Sequence, residues 1–263
     1  MRELLEAVAA GKQSPAQAEA AIRAMTELDS YIEIEDGRFD AAREYRSGVP
    51  EVILATGKSP AETAELAKAS VQSTDRAIIT RVENENILDS CRSRLTELVP
   101  SDLIEWYPRS MTLIAYSPEF QANALNATLG VISAGTSDAA VAEEAALIAR
   151  EMGVSVDRID DIGVAGIARL LDNLESLREH DILIVVAGRE GALPTVIAGL
   201  VDVPVIGLPT SNGYGYGGKG DAALQGMLQS CTALSVVNID AGFTAGAQAG
   251  LIARTLDAAR SST

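Results

Sequence analysis

The sequence predicts an α/β protein whose second half is built on a parallel sheet, and three observations predict it. From about Val131 onward, short apolar runs alternate with helical patterns. The run Ile182-Leu183-Ile184-Val185-Val186-Ala187 is apolar throughout, as suits a strand covered on both faces. The junctions that follow such runs are rich in small and polar residues, which is the composition of the strand ends where ligands gather in open α/β sheets. Regular strand–helix alternation implies right-handed crossovers and a three-layer unit with helices on each side.

The elements follow in order. The second half predicts strands at 130–134, 154–159, 181–187, 203–208 and 234–239, with helices at 137–152, 164–178, 193–200, 221–230 and 244–259. In the first helix Val141, Ala145, Ile148 and Met152 recur at helical spacing. The first half is less regular and reads as a smaller α+β domain. Ser14-Pro15 and Ser59-Pro60 both resemble helix starts, with serine capping and proline in the first turn. Strands are expected at 51–55, 76–82 and 111–116 and a helix at 87–98; Asp36-Gly37 and Ser47-Gly48-Val49-Pro50 read as turns. The division falls between Ser117 and Thr128, giving domains over 1–122 and 123–263.

Composition bounds the function. A chain of 263 residues, 47% hydrophobic but only 4% aromatic, builds its core from Ala, Val, Leu and Ile. No apolar run reaches the roughly 18 residues of a membrane span. The opening Met1-Arg2-Glu3-Leu4-Leu5-Glu6 lacks the form of a signal peptide, so a soluble cytoplasmic protein is expected. The net charge of −16 argues against nucleic acid or anionic membrane as partner. Two cysteines make no disulfide framework.

Four features carry candidate chemistry. The junction Ser133-Ala134-Gly135-Thr136-Ser137-Asp138 suits a phosphate at the start of a helix, though by itself it also reads as a cap in a tight turn. Glu190, beyond the most apolar strand, offers an acid, a base or a magnesium ligand, or is an ordinary loop carboxylate. The glycine-dense loop 209–220 reads as a lid or anion cradle and is not a P-loop, since no Gly-Lys-Ser/Thr follows at the required spacing. Cys231 stands alone after a helix, where the dipole disfavours a thiolate, so it is either core filler or a nucleophile helped by a positively charged substrate. Cys91 reads as structural. His180, the chain's one histidine, lies at the wrong end of its strand, leaving no Ser–His or Cys–His pair. No Cys/His cluster suggests zinc.

At this point the residues resemble a known family. The segments Ala134-Gly135-Thr136-Ser137-Asp138, Asp161-Ile162-Gly163-Val164-Ala165-Gly166 and Glu190-Gly191-Ala192-Leu193-Pro194 match the LarB family, the pyridinium-3,5-biscarboxylic acid mononucleotide synthases of nickel-pincer cofactor synthesis. So do Pro209-Thr210-Ser211, Gly213-Tyr214-Gly215, Met227-Leu228-Gln229-Ser230-Cys231 and Val237-Asn238-Ile239-Asp240. In the first half Asp40, Arg43, Arg46, Pro50-Glu51-Val52-Ile53 and Gly57-Lys58-Ser59-Pro60 fit as well. The resemblance implies a C-terminal domain of the aminoimidazole ribonucleotide carboxylase type. The purine mutases of that type use a histidine where this chain has Ala192.

The resemblance further implies carboxylation of nicotinic acid adenine dinucleotide at C5 of its pyridinium ring and hydrolysis of its phosphoanhydride to release AMP. Cys231 and Glu190 are the implied catalytic residues, with Asp138 an alternative to Glu190. Substrate binding falls to Ser133, Gly135, Thr136, Ser137, Asp138, Asp161, Gly188, Gly191, Ala192, Leu193, Pro194, Thr210, Ser211, Gly213, Tyr214 and Gly215. Mg²⁺, with unassigned ligands, and carbon dioxide or bicarbonate as co-substrate are implied too, as is a homo-oligomer, an octamer by analogy with related folds. The chain departs from the family pattern at Lys219-Gly220-Asp221, at Ala241 and at Arg189, so loop charge and substrate affinity are expected to differ. Two other readings stand beside this one: a purine mutase-like activity, and a nucleotide-binding protein without chemistry.

Overall fold

The computed structural model describes residues 2–26, 31–34 and 37–261. It divides into two compact units, Met1–Gln121 and Ala122–Thr263.

The first unit begins with helices α1 (Arg2–Ala9) and α2 (Pro15–Thr26), followed by the antiparallel pair β1 (Ile32–Ile34) and β2 (Gly37–Phe39). After α3 (Arg43–Ser47) come β3 (Ile53–Leu54), α4 (Pro60–Thr74), β4 (Arg76–Thr80), α5 (Glu85–Thr96), β5 (Ile104–Tyr107) and β6 (Thr112–Tyr116). The last four strands form a mixed sheet ordered β3-β4-β6-β5. Its core joins Leu66, Ala67, Cys91 and Leu95 of the helices to Ala77, Ile79 and Leu113 of the sheet. Ser59 caps α4 by accepting the Glu62 N–H at 3.1 Å, with Pro60 in the first turn, as expected. The Ser47–Pro50 turn is the end of α3, where Gly48 at φ 76° donates to the Glu44 carbonyl. Asp36 of the expected Asp36-Gly37 turn lies outside the described residues. β1, β2 and β5 were not expected; they are short, and β5 alternates an exposed Glu105 with a half-buried Trp106.

The second unit is the expected three-layer α/β domain. Its strands are β7 (Thr128–Ser133), β8 (Ser155–Ile159), β9 (Ile182–Ala187), β10 (Val205–Pro209) and β11 (Ser235–Val236). All pair in parallel in the order β11-β10-β9-β7-β8. The helices are α6 (Ala139–Glu151), α7 (Ile167–Asp172), α8 (Leu174–Arg178), α9 (Ala192–Ala198), α10 (Asp221–Leu228) and α11 (Gly242–Ser261). One sheet face packs on α6 and α11 through Ala142, Ala145, Ala245 and Ala249 against Leu129, Val131 and Ile184. The other packs on α7 to α10 through Leu170, Leu177, Leu193 and Met227 against Ile132, Leu183 and Val185.

Two expectations change. The single helix over 164–178 is a 3-10 turn, α7 and α8, broken at Asn173, whose side chain donates to the Arg169 carbonyl at 2.8 Å and competes with the helical ladder. The strand over 234–239 shrinks to two residues at the sheet edge, because the chain bends away to place Asp240 at φ 55°. Among the described residues, no helix is long and apolar enough to cross a membrane.

Candidate active site

The chain reverses direction across the sheet between β7 and β9, and the crevice outside the carboxyl ends of those strands is where such folds bind ligands. Ser133, the last residue of β7, is buried and donates its hydroxyl to Asp160 at 2.8 Å. The chain then turns through Gly135 into a 3-10 turn, Thr136–Asp138, with Thr136 and Ser137 exposed and Asp138 only 4% exposed.

Asp138 is the best-held acid of this edge. One oxygen accepts the Thr210 hydroxyl at 2.7 Å and the other the Gly135 N–H at 3.2 Å. Burial pushes its carboxyl above the ordinary value and the nearby Asp240 adds to that; the donors Thr210, Asn212 and Gly135 oppose it. Close backbone approach makes this arrangement possible. A Cβ on Gly188 would collide with Thr210 Oγ1 and stand 3.0 Å from Asp138 Oδ1. A Cβ on Gly213 would lie 2.6 Å from the Gly188 carbonyl oxygen. Only glycine lets the loops after β7, β9 and β10 meet here.

The glycine-dense loop is hydrogen-bonded to itself and to its surroundings. Gly218 donates to Gly215, Lys219 to Gly213 and Ala222 to Gly217, each at 3.0–3.1 Å. Ser211 N–H donates to Asp240 at 2.9 Å, and Asn212 donates its amide to the Ser137 carbonyl at 2.7 Å. Gly215 stays exposed at the tip, flanked by Tyr214, 75% exposed, and a fully exposed Tyr216. Arg189 lays its guanidinium 4.2 Å over the Tyr214 ring. Sequence reasoning gave no role to Asn212, Asp240 or Asp160. Asp240 ends a motif it did quote, but only the fold brings that residue to Ser211.

The other expected site residues spread further. Asp161, at φ 65°, is half-exposed and paired with Arg169 at 2.5 Å. Glu190 is exposed at the start of α9, beside Gly191 and a half-buried Ala192. Leu193 and Pro194 are buried: Leu193 belongs to the core, and Pro194 packs near Gly207 of β10. Cys231 is exposed beyond the end of α10. Its neighbour Thr232 packs 3.7 Å from where a side chain on Gly199 would begin, just past the end of α9. Glu190 lies just before α9, its carbonyl oxygen pressed against the place where a side chain on Gly226 of α10 would begin, and Cys231 follows the end of α10. Cys91 is buried, and burial pushes its thiol up to about 12. His180 sits at the opposite sheet edge, 6% exposed, its ring between the Ser176 carbonyl and Asp157. Among the described residues, no group of three or more His, Cys, Asp or Glu could hold a metal ion.

The two units match two family models. Residues 31–113 match one described as the LarB/PurE-like N-terminal domain, and residues 128–263 one described as AIR carboxylase. The chain is 40% identical over 261 residues to an uncharacterized protein of Methanocaldococcus jannaschii, covering 97% of this chain and 98% of that one. Among solved structures, PurE of Treponema denticola is 16% identical with a TM-score of 0.39, covering 51% of this chain and 92% of that one. A serine-to-aspartate variant of PurE2 from the same bacterium is 18% identical with a TM-score of 0.38, at the same coverage. The fold and these matches define a carboxylase/mutase-type α/β protein. With the matching N-terminal domain in place, the chain belongs to the LarB family.

Proposed function

We propose that this protein carboxylates nicotinic acid adenine dinucleotide at C5 of the pyridinium ring and hydrolyses its phosphoanhydride, giving pyridinium-3,5-biscarboxylic acid mononucleotide and AMP. The observation that carries this reading is the fate of the titratable nucleophiles. The chain's one histidine is locked at the amino edge of the sheet, and Ala192 stands in the loop beside Glu190. Cys91 is buried, which leaves Cys231 as the exposed thiol.

The Cys231 thiolate adds to C4, and the S–C bond cancels the ring's positive charge. C5 then has enamine character and attacks carbon dioxide, forming the new C–C bond. A base removes the C5 proton, and the ring nitrogen's lone pair expels the thiolate to restore the pyridinium. The substrate's own cation favours the thiolate at a helix end where the dipole does not. We assign the C5 proton to Glu190, whose carboxylate is exposed, and the organisation of the loops and ribose to Asp138, whose oxygens are already engaged. Magnesium, held by the substrate's phosphates, would offset charge during phosphoanhydride cleavage. Since Glu190 follows the carboxyl end of β9 while Cys231 follows α10 and precedes the start of β11, we read the site as completed between copies in a homo-oligomer.

The test is product mass spectrometry after incubation with nicotinic acid adenine dinucleotide, bicarbonate and magnesium. AMP and a mononucleotide heavier by one carboxyl group, made by the wild type and not by Cys231→Ala, are expected. Nucleotide binding with no product from either protein sinks the carboxylase reading.

A further inference from the structure

The carboxyl edge of the second sheet is crowded with acids. Asp138, Asp160, Asp161, Glu190, Asp221 and Asp240 all lie on its loops. A ligand bearing phosphates meets a repulsive field there unless a cation is placed to answer it. The arginines flanking the loop after β8 are already committed. Arg158 is tied to Glu143 at 3.2 Å and Asp160 at 3.0 Å, and Arg169 to Asp161. Among the described residues of these loops, Arg189 and Lys219 have no carboxylate partner, and of the two only Arg189 is held in place. Its guanidinium carbon lies 4.2 Å from the centroid of the Tyr214 ring, and its N–H groups, not spent on a carboxylate, can donate to a phosphate. Its backbone is fixed as well, because Gly188 is pressed against Thr210 and Gly213 against the Gly188 carbonyl. A ring on the glycine loop and a cation on the β9 loop are thereby clamped together, directly beside Glu190.

We infer that Arg189, oriented by Tyr214, is the phosphate-recognising residue of this site and sets its preference for a phosphate-bearing nucleotide over the phosphate-free nucleoside part of the same molecule. The inference rests on the proposed nucleotide substrate and adds to it the group that selects the phosphates. Lys219 carries the same charge on the glycine loop without a ring to hold it, and serves as the internal control.

Calorimetric binding of nicotinic acid adenine dinucleotide, nicotinic acid mononucleotide and nicotinic acid riboside to the full-length protein tests this. Arg189→Met is expected to weaken both phosphate-bearing ligands by about ten- to a hundredfold, the range of a charge-assisted hydrogen bond, and to leave the riboside unchanged. Lys219→Met is expected to cost about threefold or less, as exposed unheld charges do. Tyr214→Leu is expected to fall between the two, and Arg189→Lys to recover part of the loss. All three positions are exposed, so matching thermal melts are expected across the four variants. Equal losses for Arg189→Met and Lys219→Met overturn the inference, as does an equal loss for the riboside or undiminished dinucleotide binding by Arg189→Met. A wild-type protein that binds none of the three ligands sinks the proposed function itself, a result distinct from each of those.

Discussion

The two edges of the five-stranded sheet are made from the same strands and do opposite things. At the amino edge the central polar groups are tied to one another. Asp181 takes Arg260 on both oxygens and the Thr128 N–H at 2.9 Å, while His180 is bonded through both ring nitrogens. Arg260 also reaches the Asn126 carbonyl, tying α11 to the starts of β7 and β9. At the carboxyl edge Asp138 is buried among its donors, while Glu190 is exposed and Arg189 rests on an exposed ring. One edge lowers the free energy of the fold. The other keeps unsatisfied capacity for a ligand, as strand-end crevices in such sheets do.

The sharpest way to break the comparison is at the nucleophile, which lies between the end of α10 and the start of β11, away from the carboxyl-edge loops of its own chain. Cys231→Ala is expected to lower product formation by about a thousandfold or more, and Glu190→Gln by about a hundredfold or more. If the site is completed between copies, mixing and reassembling the two inactive variants restores a fraction of wild-type turnover, because some sites receive an intact thiol and an intact carboxylate. A mixture as inactive as its parts rejects the shared site. Alkylation mapped by peptide mass spectrometry should mark exposed Cys231 and spare buried Cys91, whose thiol is pushed up to about 12.

A second break strikes the carboxyl edge through its packing. Gly188→Ala places a methyl group against Thr210 Oγ1 and Asp138 Oδ1, and is expected to cost about 1–3 kcal/mol and to reduce turnover with it. Denaturant melts of this variant showing wild-type stability would mean that the loops after β7, β9 and β10 do not meet as closely as the structure places them.

How much of this was legible in the sequence depended on whether the signal was local. The continuous apolar run gave β9, and Ser59-Pro60 gave the start of α4, because both are written within a few residues. The break at Asn173 needs one side chain to compete with a ladder, which periodicity does not register. The glycine loop was read as functional from composition. The reason for Gly188 and Gly213 lies in contacts with residues far along the chain, and so could not be read. Asp138 was flagged as a small-residue turn acid, but its hydrogen-bond partner Thr210 comes 72 residues later, and the like charge of Asp240 comes from another strand end. The distance from Glu190 to Cys231 was invisible for the same reason. Both stand in loop-like sequence, and only the order of strands and helices puts one after the carboxyl end of β9 and the other before the start of β11.

The smallest effects sharpen the comparison most, because they differ in sign. Burial raises the folded-state pKa of Asp138, so the stability tied to that group is fully present below its unfolded value of about 3.9 and is lost as pH rises through the raised folded value. The stability of wild type relative to Asp138→Asn should therefore fall as pH increases from about 4. Asp181 is the reverse: its hydrogen bonds with Arg260 hold its carboxyl below the usual range, with Thr128 adding to them. That contribution is present above about pH 3.9 and is lost as pH falls through the depressed folded value. Relative to Asp181→Asn, wild type should gain stability with pH through the acid range and then level off. The Asp181–Arg260 pair is partly exposed, so salt should shrink its slope. The slope of Asp138, buried with its donors, should hardly respond. Urea melts of the two variants across the acid range, at low and high salt, decide it, and slopes of the same sign would show that the two edges are held by one kind of interaction.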